Sequence, residues 1–278
     1  MFKRTLKTTG ALLIAAAMLA GCKGTPDSAD QQLVDQIADE FGVPEETAEA
    51  PKAEWSADEI HNFIMPEQGE KIAVITVKDY GEIKIKLFPE DAAKGVENFI
   101  GLAEMGYYDE LIFHRVIPSF MIQGGDPKGN GTGGKSIWGD KFEGGTSDHL
   151  YHFSGAVAYA NSGATSTNGS QFYIVNTDDG EYSLGGYRRD DGSIYYYKTF
   201  EEAGYTQPES GQALYREKGG TPSLDGGYTV FGQVFEGMDV VRAIAQVETN
   251  QDESNGIPVD KPLTPVIIES IRIVEFEG

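Results

Sequence analysis

The stretch that most constrains the fold of this chain is residues 113–127, Phe-His-Arg-Val-Ile-Pro-Ser-Phe-Met-Ile-Gln-Gly-Gly-Asp-Pro. Its apolar residues are interrupted by Arg115 and Gln123, which bring a charge and an amide. A strand that is buried on one face can carry such groups only if its other face meets solvent or a ligand. The stretch therefore predicts a half-buried strand. Two interpretations of Arg115 stay open on these residues alone: a surface arginine on an ordinary strand, or part of a binding site.

The preceding segment predicts a β-hairpin at the start of a β-rich domain. Residues 72–77 are rich in β-branched side chains, and after the turn at residues 79–81 apolar and polar residues alternate over 83–87. Alternation with a period of two is typical of a half-buried antiparallel strand. The 35 glycines and 40% hydrophobic content in 278 residues agree with a globular, turn-rich β protein.

Two helices and a closing strand are also predicted. The Pro-Glu-Asp sequence at residues 89–91 predicts the first turn of a helix, which Gly106 ends. The apolar spacing over residues 238–245 predicts a second helix, and residues 266–276 predict the closing strand.

Three blocks of sequence, in this order, resemble the cyclophilins, the cyclosporin-binding class of peptidyl-prolyl isomerases. The blocks are residues 113–127, the pair Ser-Gly-Ala-Val-Ala-Tyr-Ala-Asn (154–161) and Thr-Asn-Gly-Ser-Gln-Phe-Tyr-Ile (167–174), and Ser-Leu-Asp-Gly-Gly-Tyr-Thr-Val-Phe-Gly (223–232). The resemblance covers residues 70–278 except an insertion at about 178–222. It implies a mainly β fold, a closed eight-stranded antiparallel barrel capped by two helices, with an inserted loop region.

The same resemblance implies the site residues. Arg115 and Gln123 match catalytic positions of the family. The matches to substrate-binding positions are Phe120, Met121, Ala160, Asn161, Gln171, Tyr173, Leu224 and Tyr228. Tyr173 stands where the family has a phenylalanine in the floor of the proline pocket. Two positions depart from many members: Ser223 replaces a tryptophan and Tyr228 replaces a histidine.

The function that the resemblance implies is isomerisation of X-Pro bonds in exported proteins, which assists their folding. A cyclophilin-fold binding module or holdase chaperone without turnover is the main alternative, and a surface adhesin is a weaker one. The presence of Arg115 favours catalysis, since binding alone does not need it. The expected partners are proline-containing unfolded or exported polypeptides, and the chain is expected to be a monomer.

Composition bears on cofactors and other partners. The chain has one cysteine and four histidines without metal-binding spacing, so neither a metal nor a cofactor is expected. Its formal net charge of −22 argues against a nucleic-acid partner.

The amino terminus predicts export and a lipid anchor. Lys3, Arg4 and Lys7 precede an apolar run over residues 11–20, which is too short to span a bilayer comfortably. The following Leu-Ala-Gly-Cys resembles a bacterial lipobox, in which the cysteine is lipidated and becomes the first mature residue. We therefore expect a signal peptide over residues 1–21 and a lipidated Cys22. The expected location is extracytoplasmic, with the protein anchored to the cell membrane as a lipoprotein. A simple signal peptide with a chance cysteine is the alternative.

Residues 22–69 are polar and acidic, and their composition is typical of a tether that would span roughly 35–40 Å as a flexible chain. A partner-binding helix around Val34 is the alternative. The insertion is rich in tyrosine. It is interpreted either as a surface embellishment packed on itself or as an added wall of the substrate groove. Rotation itself is expected not to need it.

Residues 129–136, Gly-Asn-Gly-Thr-Gly-Gly-Lys-Ser, match the phosphate-loop pattern GxxxxGK[ST]. A working phosphate loop needs a buried strand before it and a helix after it, so that the helix N-terminus faces the phosphates. The flanking residues predict neither, and the segment instead resembles a cyclophilin loop that leads into a strand ending near residues 141–143. We therefore expect no nucleotide site there.

Overall fold

The computed structural model describes residues 59–177, 181–188, 194–205, 207–251 and 258–278, without the side chains of residues 186–188 and 194. The predicted signal peptide, Cys22 and most of the predicted tether lie outside the described residues. Within the described part of the chain, no helix combines the length and apolar character needed to cross a membrane.

The described strands and helices follow the predicted order. The strands are β1 (Lys71–Val77), β2 (Gly81–Leu87), β3 (Ile112–Phe113), β4 (Arg115–Ile117), β5 (Met121–Gly124), β6 (Ala156–Tyr159), β7 (Phe172–Val175), β8 (Gly186–Arg188), β9 (Ile194–Tyr196), β10 (Val230–Glu236) and β11 (Val266–Glu275). The α-helices are α1 (Ala93–Glu104), α2 (Glu209–Lys218) and α3 (Met238–Ala245). Short 3₁₀ helices cover His61–Phe63, Thr165–Thr167 and Pro222–Leu224. Near residues 141–143, where a strand was predicted, the structure has only an isolated bridge between Phe142 and Asn168.

Nine of these strands form one antiparallel sheet that curls into a nearly closed barrel. Their order is β3-β11-β1-β2-β10-β6-β7-β5-β4. The two ends of this order, β3 and β4, are separated in the chain by His114 alone. The predicted antiparallel barrel is therefore confirmed, but with nine strands instead of eight. The count is nine because one bent segment contributes both β3 and β4.

The strands that carry the signature alternate between the barrel interior and its outer face. Val116 and Ile122 are fully buried and paired with each other across β4 and β5. Arg115 and Gln123, one residue away from them, point to the opposite face of the same strands. This alternation is why an apolar strand can carry a charge and an amide without burying them.

The two predicted capping helices are present, although the first begins later than expected. Helix α1 buries Val96, Phe99 and Ala103, and α3 buries Val241 and Ile244. Helix α1 begins at Ala93 rather than at Pro89, so the predicted start is wrong. The reason is that the Asp91 carboxylate binds His61 and Ser147 instead of capping a helix, and the Asp91 and Ala92 amides close a turn on the Phe88 carbonyl.

The insertion shares a second core with the barrel. This core contains the buried side chains of Ile60, Phe153, Leu184, Phe200 and Tyr215. The Tyr215 ring, from α2, stacks on Phe153 with ring centroids 4.4 Å apart. The insertion is therefore not an embellishment packed only on itself.

Residues just before the barrel also belong to the folded domain, although they were predicted to be tether. Ile60 is buried in the second core. Asn62 is buried and donates hydrogen bonds to the Gln233 side chain and to the Tyr151 carbonyl, at 2.9 Å and 3.0 Å. Among the described residues, folded structure thus extends at least about ten residues ahead of the predicted boundary at residue 69.

Candidate functional site

A row of paired residues crosses three neighbouring strands on one face of the sheet. Arg115 of β4 lies opposite Gln123 of β5, and Gln123 lies opposite Tyr173 of β7. Residues directly opposite each other in antiparallel strands share a face. The row therefore places a cation, an amide and a phenol side by side, although they are far apart in the sequence.

This row borders a cavity of about 210 Å³. Nine of the ten predicted pocket residues line it: Arg115, Phe120, Met121, Gln123, Ala160, Asn161, Tyr173, Leu224 and Tyr228. They come from the β4–β5 segment, from the ends of β6 and β7, and from the segment before β10. The insertion contributes no residue to this lining among those that the structure describes.

Gln171, the tenth predicted residue, lines an adjacent cavity that shares Gln123 and Asn161 with the first. Its Oε1 accepts a hydrogen bond from Gln123 Nε2 at 2.9 Å. Its own Nε2 donates to the carbonyls of Gly131 and Gly133, at 3.0 Å and 2.8 Å. Gln171 therefore connects Gln123 to the glycine-rich loop.

The glycine-rich loop folds around a carboxylate of the protein itself. Asp126 accepts backbone hydrogen bonds from Lys128, Asn130 and Gly131 at 2.6–3.1 Å. A Cβ at Gly133 would lie only 2.1 Å from Asp126 Oδ1, so the loop approaches as closely as glycine permits. The amides that would bind a phosphate are thus already engaged by Asp126.

The hydrogen bonds from the loop amides lower the pKa of Asp126. Burial alone would raise the pKa of the carboxyl group, but the hydrogen bonds from the loop amides outweigh burial and lower the pKa. The carboxylate is therefore the favoured form, which is the form that holds the loop.

Arg115 presents its guanidinium at the cavity edge. The side chain is 45% exposed, and Nε lies 3.7 Å from the Asp260 carboxylate. The Asp260 carbonyl accepts a hydrogen bond from the Val116 amide, which attaches this loop residue to β4. Neither terminal guanidinium nitrogen of Arg115 has a hydrogen-bond partner among the described residues. The sequence did not predict that Asp260 contacts Arg115, because Asp260 lies in a loop distant from β4 in the chain.

Tyr173 forms the buried floor of the cavity and has a partner that the sequence did not indicate. It is 4% exposed, and its hydroxyl lies 3.0 Å from Nε2 of His152. Burial raises the pKa of the phenol well above its ordinary value, and the nearby Tyr228 and Asp225 reinforce the shift. The group is therefore a neutral hydroxyl. His152 is itself buried, at 1% exposure.

The segment before β10 forms one side of the cavity and contacts the insertion. Leu224 ends the 3₁₀ helix at Pro222–Leu224, and the Tyr228 ring meets Tyr173 edge to face at 5.7 Å. Ser223 lies against the insertion, with its Oγ 3.4 Å from the Ser183 carbonyl. The place where many relatives carry a tryptophan is therefore bordered by inserted residues.

The site's chemistry is that of an apolar pocket bordered by one cation and two amides. Among the described residues, no cluster of three or more histidine, cysteine or acidic side chains could hold a metal ion. The described groups can bind an apolar ring, orient a peptide backbone and stabilise developing charge.

Comparison with known proteins places this barrel and pocket in one class. The family described as "Cyclophilin type peptidyl-prolyl cis-trans isomerase/CLD" matches residues 72–273. A crystal structure of a cyclophilin-type peptidyl-prolyl cis-trans isomerase from Cryptosporidium parvum is 28% identical, with a TM-score of 0.51 over 74% of this chain and 99% of that one. A second crystal structure of that protein, in the presence of the dipeptide Ala-Pro, is 27% identical with a TM-score of 0.50, and the coverage is the same.

Bacterial relatives carry names of the same class. A Staphylococcus aureus protein named "Putative peptidyl-prolyl cis-trans isomerase" is 42% identical over 209 residues, which are 75% of this chain and 94% of the relative. A Streptococcus pyogenes protein named "Putative bifunctional phosphatase/peptidyl-prolyl cis-trans isomerase" is 44% identical over 74% of this chain. The match covers only 39% of that longer protein.

The chain belongs to the cyclophilin-type peptidyl-prolyl cis-trans isomerases. Its activity is cis-trans isomerisation of the bond before proline, and proline-containing polypeptides are the substrates of this class. The resemblance predicted from the three sequence blocks is confirmed.

Proposed function

We propose that this isomerase acts on X-Pro bonds of exported polypeptides, assists their folding, and works from a lipid anchor at Cys22 outside the cytoplasm. The short apolar run before Cys22 supports export. Cys22 is the only cysteine, so it has no disulfide partner within the chain, and it occupies the position that a lipobox requires.

One observation supports the assignment of roles within the site. The described residues bring a single exposed cation, Arg115, to the edge of a pocket whose floor and sides include Met121, Tyr173 and Leu224. A pocket of this kind fits a pyrrolidine ring, and its charged edge lies beside the bond that must rotate.

Arg115 is the residue to which we assign stabilisation of the rotating bond. Rotation about a peptide bond is slow because the nitrogen lone pair is delocalised into the carbonyl, which gives a barrier of roughly 18–20 kcal/mol. Twisting localises that lone pair on the prolyl nitrogen. A hydrogen-bond donor aimed at this nitrogen then stabilises the twisted state more than either planar state. The guanidinium suits this task because it stays charged and its donors lie in one plane.

The remaining pocket residues would hold the two sides of the bond differently. Phe120, Met121, Tyr173 and Leu224 surround the proline ring, while Gln123 and Asn161 bind the neighbouring backbone, so that only one side turns. Gln171 keeps the Gln123 amide in place. A millionfold acceleration needs only about 8 kcal/mol, which a charged donor at a partly desolvated pocket can supply.

The experiment for the client class is refolding of an exported protein whose slow phase is X-Pro isomerisation. We expect the full chain to accelerate that phase catalytically, at concentrations well below that of the client. Acceleration only at equimolar concentration, together with suppressed aggregation, would instead support a holdase that binds without turnover.

The experiment for the anchor compares membrane fractions of cells that produce the natural chain or Cys22→Ala. We expect the natural chain in the membrane fraction, and the variant either released or left unprocessed. A natural chain found wholly in the membrane-free fraction would contradict the anchor and would leave the isomerase assignment untouched.

A further inference from the structure

A chain of buried and partly buried hydrogen bonds runs from the floor of the proline pocket to the insertion. It begins at the Tyr173 hydroxyl, which lies 3.0 Å from His152 Nε2. His152 Nδ1 lies 2.9 Å from Asp225 Oδ1. The other Asp225 oxygen accepts a hydrogen bond from the Tyr215 hydroxyl at 2.6 Å, and Gln207 Nε2 lies 3.4 Å from it.

The chemistry of the groups gives this chain a direction. A carboxylate can only accept, so in the neutral imidazole the proton lies on His152 Nδ1 and points to Asp225. Nε2 is then an acceptor, and the Tyr173 hydroxyl donates to it. The Asp225 carboxylate also accepts from the His152 backbone amide at 3.0 Å, so the histidine is held at two points.

The floor of the pocket needs this support because it is a tyrosine. Burying a hydroxyl without a hydrogen-bond partner is unfavourable, so an unsupported phenol would move towards water. Tyr173 is 4% exposed and packs edge to face on Tyr228. A shift of its ring would therefore deform two sides of the pocket together.

Asp225 is also placed to hold the segment that forms one side of the pocket. It directly follows Leu224 and precedes Tyr228 by three residues, and both of these residues line the cavity. Its bond to Tyr215 fixes that segment to α2, whose Tyr215 is fully buried against Phe153.

We propose that His152 and Asp225 are positioning residues for the isomerisation, which hold the Tyr173 floor and the Leu224–Tyr228 segment through Tyr215 of the insertion. Neither residue lines the cavity or touches the rotating bond. The insertion thus contributes to catalysis although none of its described residues lines the pocket. This inference rests on the proposed roles of the pocket residues.

The test is a double-mutant cycle on the full chain, with kcat/KM measured per folded molecule well below each melting temperature. We expect His152→Phe to lower kcat/KM on a proline tetrapeptide by about tenfold or more, because a small displacement of a pocket group has effects of this size. The Tyr173→Phe variant has no hydroxyl for His152 to support. When His152→Phe is added to it, kcat/KM should fall by less than about threefold relative to Tyr173→Phe alone. The matched control, His149→Phe, replaces an exposed histidine outside the chain of hydrogen bonds.

A second variant keeps the test decisive if His152→Phe does not fold. Asp225→Asn has nearly the same shape but removes the carboxylate that His152 and Tyr215 share, and we expect a loss of about fivefold or more in kcat/KM. If the folded variants only melt earlier and keep kcat/KM within about twofold of the natural chain, the residues are structural and the proposal is overturned. An equal effect of His152→Phe in both backgrounds would also overturn it. A natural chain without isomerase activity would instead refute the proposed function.

Discussion

Single residues here act mostly by satisfying or orienting another group. Asp126 holds the glycine-rich loop through its backbone amides, the loop carbonyls hold Gln171, and Gln171 holds Gln123. The signature's final acidic residue therefore reaches the pocket through three successive contacts.

At this scale we predict that Asp126→Ala lowers both stability and activity. It removes the buried carboxylate that three loop amides share as acceptor, so the free energy of unfolding should fall by about 2 kcal/mol or more. The loosened loop should lower kcat/KM by about threefold to tenfold. The control, Asp140→Ala, removes an exposed carboxylate from the same loop. Denaturant unfolding and a tetrapeptide assay measure both effects, and equal values for the two variants would contradict the assigned role.

The elements explain why the insertion matters to the barrel. Helix α2 covers Phe153, and the insertion shares its core with Ile60 from the segment before the barrel. The sequence suggested that rotation would not need the insertion. The Tyr215–Asp225 contact leads to the opposite expectation.

We therefore predict that replacing residues 179–221 with a short linker lowers activity even on a tetrapeptide. The change exposes Phe153 and Ile60, and burying side chains of this size contributes about 1.5–3 kcal/mol each. The melting temperature should fall by roughly 10 °C, because each kcal/mol of lost stability shifts it by about 2–4 °C in a domain of this length. The control is Tyr196→Ala, which removes an exposed side chain of β9. A replacement with the natural melting temperature and full tetrapeptide activity would show that the insertion is dispensable.

At the scale of the whole domain, the two ends of the barrel sheet meet at one buried histidine. His114 separates β3 from β4 and is 3% exposed, and neither ring nitrogen has a hydrogen-bond partner among the described residues. Burial lowers the pKa of His114 from its ordinary value of 6.5. Because the unfolded chain then binds this proton more readily than the folded one, stability is lost as the pH falls below the ordinary pKa of 6.5.

We predict that this loss is smaller in His114→Phe, which fills the same space with a ring that does not titrate. Denaturant unfolding between neutral and mildly acidic pH should show a steeper decline for the natural chain than for the variant. The other histidines are present in both proteins, so their contributions cancel in the difference. Parallel pH profiles for the two proteins would contradict the role given to His114.

Much of the fold and pocket could be predicted from the sequence because their signals are local. The alternation around Arg115 and Gln123 and the three ordered blocks indicated the strands, and the structure brings nine of ten pocket residues together. The links beyond the pocket were missed because each joins distant residues. His152 is 21 residues from Tyr173 and 73 from Asp225, and no periodicity marks such pairs.

Local rules also failed where a tertiary contact took precedence. Pro89 and its acidic neighbours resemble a helix start, but the Asp91 carboxylate binds His61 and Ser147. The acidic composition of residues 22–69 is typical of a tether over the whole of this segment. The buried side chains of Ile60 and Asn62 fix its last part to the domain. Both errors fall at element boundaries, where sequence patterns carry the least information.

The most direct test of the central claim is kcat/KM of Arg115→Ala on a proline tetrapeptide, with Arg272→Ala as the matched control. Arg272 pairs with Asp109 and lies outside the residues that line the proline cavity. We predict that Arg115→Ala loses about a hundredfold or more in kcat/KM while its melting temperature changes little, since a single charged donor at a transition state contributes this much. Arg272→Ala should keep the natural rate. An Arg115→Ala protein that isomerises as fast as the natural chain would contradict the mechanism.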